Sequence, residues 1–522
     1  MLLAIAMVGT SHILFLPPWE GFDEYAHWSS IQQIADTGRI PYYGIAHISE
    51  DVESYTGPMP YASIPPFDKT GSATYASFRE SGVTALPETG ERHFRPGQGL
   101  NWQAQHPPLY YLIMAPIYLL TKSLSWTENL LALRLASWCL AFAGLALGVL
   151  VTEHRLGKIG VRAAPVMAAY PFLVPEFFPE MARLGNDSLC LLVMGCVWTL
   201  LLRLLSPERG AWTAPMLGFA LGVGLWTKAF FVPISVGVAA FLMFRWLMER
   251  HRDHVRDVLL CALVALSVGG LWYVRNLILF DNLLGSNDFI RLANGIGLRA
   301  GLEQNFSLLL FAKGFAAMIG TYIWAGTWSL AQPPEYVLVP TAMLIALTIG
   351  AYLLHLRRDI RPGRMAFILP LFLVAPVAAG LTYHLVTVVA ETGRPGGTPG
   401  WYLHILAAPI GFAMAMGWSM LRPATPARIL AAGSVALGVV SWGLQLSLFS
   451  GCALKIGEDR HYNLADATCR IAWSQLEKLA YPGIASFCLM LGTVFAVAAL
   501  FARHPQLEFP RTTIGSTDAD QI

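Results

Sequence analysis

Two adjacent carboxylates, Asp23 and Glu24, stand near the start of the chain in Pro17-Pro18-Trp19-Glu20-Gly21-Phe22-Asp23-Glu24-Tyr25-Ala26-His27. They follow directly on a short apolar segment, Leu2 to Leu16, which lacks a basic start or a small-residue cleavage pattern and reads as a retained first helix. Ionisable groups are costly to place at a membrane and usually serve function there. A carboxylate so placed can take the proton of a hydroxyl nucleophile. If the stretch is helical, Asp23 and His27 lie four residues apart on one face. His106 closes the same polar stretch, just before Pro107-Pro108-Leu109-Tyr110-Tyr111. Asp23, Glu24, His27 and His106 leave room for a divalent metal if they converge, although the chain carries no HExxH or CxxC pattern.

Further polar residues interrupt the apolar sequence at the ends of long runs. They are Arg183, Asn186 and Asp187 in RLGNDSLCLL, Lys228 in LWTKAFFVP, Arg275 and Asn276 in WYVRNLILFDN, and Arg394 and Tyr402 in GRPGGTPGWYLHIL. Each has a plainer reading. Lys228 and Arg275 could be anchors whose charged heads reach the interface. Asn186-Asp187 could be a helix cap. His106 could only shape a turn, and Arg394 could be solvated charge in a Gly/Pro-rich loop. Asp23-Glu24 has the weakest plain reading, because it follows the membrane exit so closely.

The elements that must position these residues follow from composition. Of 522 residues, 55% are hydrophobic and 13% charged, and the net charge is +2. That composition excludes an ordinary soluble domain, and nothing in it points to nucleic acid. Apolar runs long enough for a hydrocarbon core of about 30 Å recur along the chain, so the expected class is an all-α polytopic membrane protein. Basic clusters at Arg155–Arg162, Arg203–Arg209, Arg245–Arg256, His355–Arg364 and Arg422–Arg428, with Arg503 beyond, are expected on the cytoplasmic side. This gives about twelve spans with both ends inside, at 2–18, 130–151, 162–180, 186–204, 212–228, 230–248, 257–277, 336–355, 365–389, 401–421, 428–450 and 479–502. The aromatic-rich segments Leu109–Leu120 and Leu308–Leu330 are expected to lie at the outer interface, the alternative being that both cross. A long extracytoplasmic loop then runs over 19–130, and all the polar residues above gather at the outer end of the bundle. The chain divides into a transmembrane catalytic module, 1–450, and a C-terminal loop, last helix and cytoplasmic tail, 451–522.

PPWEGFDEYAHW followed by QHPPLYYLIMAPIYLL resembles the first-loop signature of integral-membrane glycosyltransferases of the GT-C superfamily. It looks closest to the DUF2142-like branch, with kinship to the protein O-mannosyltransferases and aminoarabinose transferases. RLGNDSLCLL, GLWTKAFF, WYVRNLILFDNLLG and GWYLHILAAP resemble segments of that branch in the same order, to about Pro409. The pattern departs where Gly-Arg-Tyr is expected, since this chain has Gly400-Trp401-Tyr402.

The resemblance implies a GT-C-type helical bundle in the inner or plasma membrane with its active site on the periplasmic or extracytoplasmic side. It implies an inverting transfer of a hexosyl or pentosyl unit from a polyprenyl-phosphate-linked donor to a glycan, lipid or protein acceptor. Asp23 matches the catalytic carboxylate, Glu24 its neighbour, and His106 a position near the lipid phosphate. A departing phosphate needs cations, for which Lys228 and Arg275 are the candidates, with Arg394 standing in for the missing arginine. His27, Asn186, Asp187, Asn276 and Tyr402 are candidate substrate contacts. With a monophosphate donor no cofactor is required. The other readings are a lipid-linked glycan flippase or transporter, which does not explain a long loop headed by Asp-Glu, and an O-antigen ligase or polymerase, in which the large outer loop is expected late in the chain.

Cys452 and Cys469 share one outward loop, 451–476, and are expected to be bridged in an oxidising compartment. The other five cysteines, Cys139, Cys190, Cys196, Cys261 and Cys488, fall in apolar runs and are expected to be small buried hydrophobes. Mass spectrometry of the unreduced protein should find the peptides of Cys452 and Cys469 linked. Recovery of both as alkylated thiols without prior reduction would end the idea.

Overall fold

A computed structural model of the chain describes residues 1–55, 92–157, 163–207, 209–285, 296–327, 335–358, 365–395, 399–421, 433, 436 and 480–501. The helices are α1 (Leu2–Phe15), α2 (Glu24–Thr37), α3 (Glu50–Glu53), α4 (Leu109–Thr121), α5 (Trp126–Leu156), α6 (Ala164–Leu173), α7 (Phe177–Ala182), α8 (Asp187–Leu204), α9 (Thr213–Leu225) and α10 (Phe231–Glu249). They continue with α11 (Arg252–Phe280), α12 (Leu298–Asn305), α13 (Leu308–Ile323), α14 (Glu335–Arg358), α15 (Met365–Thr392), α16 (Ala407–Leu421) and α17 (Pro482–Phe501). Strands β1 (His47–Ser49) and β2 (Pro96–Leu100) pair antiparallel in the first loop, with His47 opposite Leu100. The protein is therefore an all-α, multi-pass membrane protein.

Among the described residues eight helices are long and apolar enough to cross a membrane, or up to nine if α12 and α13, bent by 103°, form one span. This is fewer than expected, for a physical reason. The expected spans at 2–18, 162–180 and 212–228 are helices of 14, 10 and 13 residues. At 1.5 Å per residue they reach only about 21, 15 and 20 Å. The second is broken where Val174 precedes Pro175 and takes φ −119°, ψ 76°. Proline disfavours the helical region for the residue before it. The expected span 428–450 and both Cys452 and Cys469 lie outside the described residues. Helix α4, at 13 residues, is also too short to cross. Of the five other cysteines, Cys139 is exposed rather than buried, while Cys190 and Cys261 are buried.

Packing brings the site-bearing helices together. Without a hydrophobic drive between helices in lipid, close crossings rely on small residues. Helices α5 and α8 cross at Gly144 and Gly195, where a Cβ on Gly195 would collide with the carbonyl of Gly144. Helix α17 returns to α1, with Ser11 Oγ donating to the Ala485 carbonyl at 2.7 Å and Tyr481 N to the Leu14 carbonyl at 2.7 Å. In the first loop, Asn101 ties the segment after β2 to α2, its Nδ2 reaching the Ala26 carbonyl at 3.1 Å and Ser30 Oγ at 3.0 Å.

Gly195→Val should force α5 and α8 apart and destabilise the protein by about 1–3 kcal/mol, the range for overpacked cores. A thermal unfolding scan of the purified protein in detergent that shows no fall in Tm would remove the close crossing from the account.

Candidate active site

The two carboxylates of the first loop have different surroundings. Glu24 is fully buried. Arg134 of α5 grips it with Nε at 2.6 Å and Nη2 at 2.5 Å, and the backbone N–H of Leu184 donates to it at 2.9 Å. The same guanidinium holds the carbonyls of Leu16 at 2.5 Å and Pro17 at 2.8 Å. All of these fix the point where the chain leaves α1. Glu24 Oε1 thus accepts from Arg134 and Leu184 and Oε2 from Arg134, an arrangement that holds this carboxylate in place.

Asp23 is only partly buried. It stands at the position that caps α2, where Asp commonly accepts a helix N–H, but its side chain makes no capping bond. Its backbone is left-handed, φ 58°, ψ 9°. Asp tolerates that region better than most residues. The carboxylate accepts from Gln103 Nε2 at 3.0 Å. Burial raises its pKa above the ordinary carboxylate value, against the pull of Arg183 and Lys228.

A buried charge cluster flanks Asp23. Arg183 follows α7 and bonds Glu180 through Nε at 2.9 Å and again through Nη2, Asp187 Oδ2 at 3.2 Å and the carbonyl of Phe22 at 2.9 Å. Lys228, in the turn after α9, holds both oxygens of Asp187 at 2.9 and 2.8 Å. Its Nζ lies over the rings of Tyr402 at 4.6 Å and Phe230 at 4.8 Å. Lys228 and Asp187 are thus partners, where sequence had suggested a phosphate cation and a substrate contact. Trp401 stacks in parallel on Phe22 with centroids 4.6 Å apart, so the residue in place of the expected arginine is an aromatic wall beside Asp23.

The remaining expected residues divide. His106 is partly buried near Lys228, and burial together with that charge pushes its pKa down to about 3. It is therefore neutral at physiological pH. His27 is buried with Nδ1 3.0 Å from Tyr111 Oη, and burial holds its pKa well below the usual value. Asn186 is fully buried at the cap position of α8, and neither side-chain atom has a partner. Tyr402 keeps some exposed surface. Arg394 is exposed. No three His, Cys, Asp or Glu side chains gather as a metal-sized set among the described residues, so the four-residue convergence imagined for a metal is not formed there.

Arg275 stands apart from the cluster near the end of α11. Its guanidinium lies over Trp272 at 4.5 Å, Tyr42 at 5.1 Å and Phe280 at 5.9 Å, and Nη1 donates to Asn276 Oδ1 at 3.0 Å. Asn276 is buried and turns its Nδ2 to the Leu284 carbonyl at 3.2 Å. Trp272 is buried with its indole N–H unpartnered. The neighbouring Leu271, Val274 and Ile278 are exposed on this membrane-crossing helix. Tyr42 of the first loop and the bond from Tyr273 Oη to the Leu225 carbonyl at 3.1 Å put Arg275 at the same end as Asp23 and Lys228.

Sequence reasoning missed Arg134, Glu180 and Gln103. Arg134 sits inside an apolar helical stretch, where a lone charge gives no local clue to a partner 110 residues away, whereas Glu180 stands three residues before its partner Arg183 and i,i+3 spacing could have marked it.

No family model matches the chain, and no curated protein matches it. Two solved structures are similar to it. ArnT from Cupriavidus metallidurans bound to undecaprenyl phosphate is 14% identical with a TM-score of 0.47, covering 96% of this chain and 76% of that one. The same protein in the apo state is 15% identical with a TM-score of 0.48, covering 96% and 75%.

Breaking the Glu24–Arg134 pair leaves a buried charge uncompensated, which typically destabilises by about 3–5 kcal/mol. Arg134→Ala should therefore lower Tm far more than Arg134→Lys, which keeps the charge. Equal melting of wild type and Arg134→Ala would show that the pair does not hold the first loop.

Proposed function

We propose that the protein is a membrane glycosyltransferase of the GT-C kind, moving a sugar from a polyprenyl-phosphate donor to an acceptor hydroxyl at the extracytoplasmic face with inversion. The observation that carries this reading is the division of labour in the carboxylate pair. Glu24 is consumed by Arg134, while Asp23 is partly exposed, free of capping duty and beside Arg183 and Lys228. That is the setting of a general base.

In the transfer, the acceptor oxygen attacks the anomeric carbon and its proton passes to Asp23. The bond from that carbon to the phosphate oxygen breaks, and the polyprenyl phosphate leaves with the electron pair. A phosphate leaves without a strong acid but needs donors for its charge. Arg275 is the best supported of these, because among the described residues it faces rings and an amide and no carboxylate, and because Trp272 offers an unpartnered N–H beside it. Arg is suited to phosphate by its fork of donors. The exposed apolar residues around it suit a lipid tail. His106 contributes as a neutral donor. Lys228, already paired with Asp187, orients Tyr402 and the cluster. Arg394 is too solvent-exposed to add much. The sugar, hexose or pentose, and the acceptor, whether glycan, lipid or protein, are to be read from the product; lipid extracts of a deletion strain should accumulate the donor.

Asp23→Asn should abolish transfer with insertion and folding intact, while Glu24→Gln should act mainly on stability. Because the pKa of Asp23 is raised, the ionised base is lost as pH falls through a value above that of a free aspartate. The acid limb of kcat/KM should therefore lie above the usual carboxylate range, with no inflection from His106 near its ordinary pKa. Transfer by Asp23→Asn at wild-type rate would overturn the base assignment.

A further inference from the structure

Gln103 touches Asp23 from the first loop beside Trp102, and its surroundings are asymmetric. Its Nε2 donates to Asp23 Oδ2 at 3.0 Å. Its Oε1 is buried and has no hydrogen-bond partner. An ionised carboxylate only accepts, so the amide must turn its NH2 toward Asp23 while that group is charged. The orphaned oxygen is unusual, since buried polar atoms are nearly always satisfied.

The backbone around this amide is fixed. Gln103 N accepts no choice of partner, donating to Asn101 Oδ1 at 3.0 Å. Asn101 is itself bonded to α2 through Ala26 and Ser30. The Gln103 carbonyl accepts from His106 N at 3.1 Å and from Tyr111 Oη at 3.5 Å. The main chain is held and the terminal amide is not: turning it by half a rotation breaks only the bond to Asp23, because Oε1 has nothing to lose.

We propose that Gln103 is a positioning residue for Asp23 that serves both of its protonation states. While Asp23 is ionised, Nε2–H donates to it. Once Asp23 has taken the acceptor's proton, the amide turns and the new Asp23 O–H donates to Oε1. One hydrogen bond joins the two side chains before and after the proton moves, so Asp23 keeps its orientation through the step. This rests on the reading of Asp23 as the base. The Trp102 side chain also hydrogen-bonds Asp23, the charges of Arg183, Lys228 and Asp187 face it, and the hydroxyls of Tyr25, Tyr111 and Tyr402 lie close enough to feel its charge. The three charged groups are engaged with one another, and the indole N–H of Trp102 only donates, so of the two first-loop side chains that bond Asp23, Gln103 is the one that can change polarity.

The test is an infrared titration of the full-length protein in lipid nanodiscs, following the carboxylic-acid carbonyl band that Asp23→Asn removes. Hydrogen bonds to charged groups exceed neutral ones by about 1 kcal/mol, so losing both should raise the midpoint of the band by roughly half to one pH unit in Gln103→Met. In the same variant the band should move to higher frequency, because the protonated acid has lost its acceptor. Gln103→Glu should raise the midpoint further, as two carboxyl groups then share the site. A midpoint in Gln103→Met equal to wild type would overturn the positioning role. A raised midpoint with an unmoved band would overturn the turning of the amide. Gln103→Glu, nearly the same shape, guards against misfolding as the cause, and its midpoint falling to or below the wild-type value would also refute the contact. An Asp23→Asn protein active in transfer would instead sink the base assignment and leave the titration result standing.

Discussion

Several charged side chains, among them Glu24, Arg134, Arg183, Asp187 and Lys228, are buried where the first loop meets the helices, and a buried ion is costly without a partner. The Glu24–Arg134 pair answers that constraint and fixes the rest. One guanidinium joins the carboxylate, the last turn of α1 and the chain leaving it. The N–H of Leu184 adds the segment before α8 to the same knot. A buried pair of this kind is weak evidence of net stability, since desolvation offsets much of the attraction. Its stronger consequence is specificity of geometry. With Glu24 immobilised, the residue before it can be held in a left-handed conformation, and Asp23 is aimed away from the helix it would otherwise cap.

The same logic separates the cations. Arg134, Arg183 and Lys228 each face carboxylates, so their charges are spent within the protein. Arg275 is cradled by rings, which attract a cation without neutralising it. A guanidinium stacked in this way keeps donors for an external anion. This is why the proposed donor phosphate is assigned mainly to the isolated arginine on the lipid-facing helix and less to the lysine nearer Asp23.

Much of this was legible in the sequence. Apolar runs located the long helices, because a span needs a length that nothing else in a chain requires. The polar interruptions at Asp23, Arg183, Asp187, Lys228 and Tyr402 did mark one cluster, as buried charge in an apolar chain has few other reasons to exist. Three of the expected spans are helices of 10 to 14 residues, because hydropathy does not register the break at Pro175 or the turn that carries Lys228. Pairing was also hidden. Nothing local links Glu24 to Arg134, 110 positions on, or shows that Lys228 is taken by Asp187. Gln103 was invisible for a different reason: a glutamine in a polar loop carries no pattern, and its meaning lies only in the atom it touches and the atom it leaves bare.

The charge count around Asp23 bears on how the proposed step would run. Arg183 and Lys228 supply two positive charges facing Asp23, Asp187 and Glu180, and burial pushes the pKa of Glu180 up to about 7, so that carboxyl is only partly ionised near neutral pH. Burial disfavours the ionised form of Asp23 and outweighs the pull of Arg183 and Lys228, so its pKa is raised. Taking up the acceptor's proton makes the Asp23 side chain neutral. The same event removes the charge that would repel a departing phosphate. Proton uptake by Asp23 and growth of negative charge on the leaving group therefore favour each other. A carboxylate serves here without a strong acid opposite it, provided its orientation survives the change of charge, which is the task the amide of Gln103 is placed to perform.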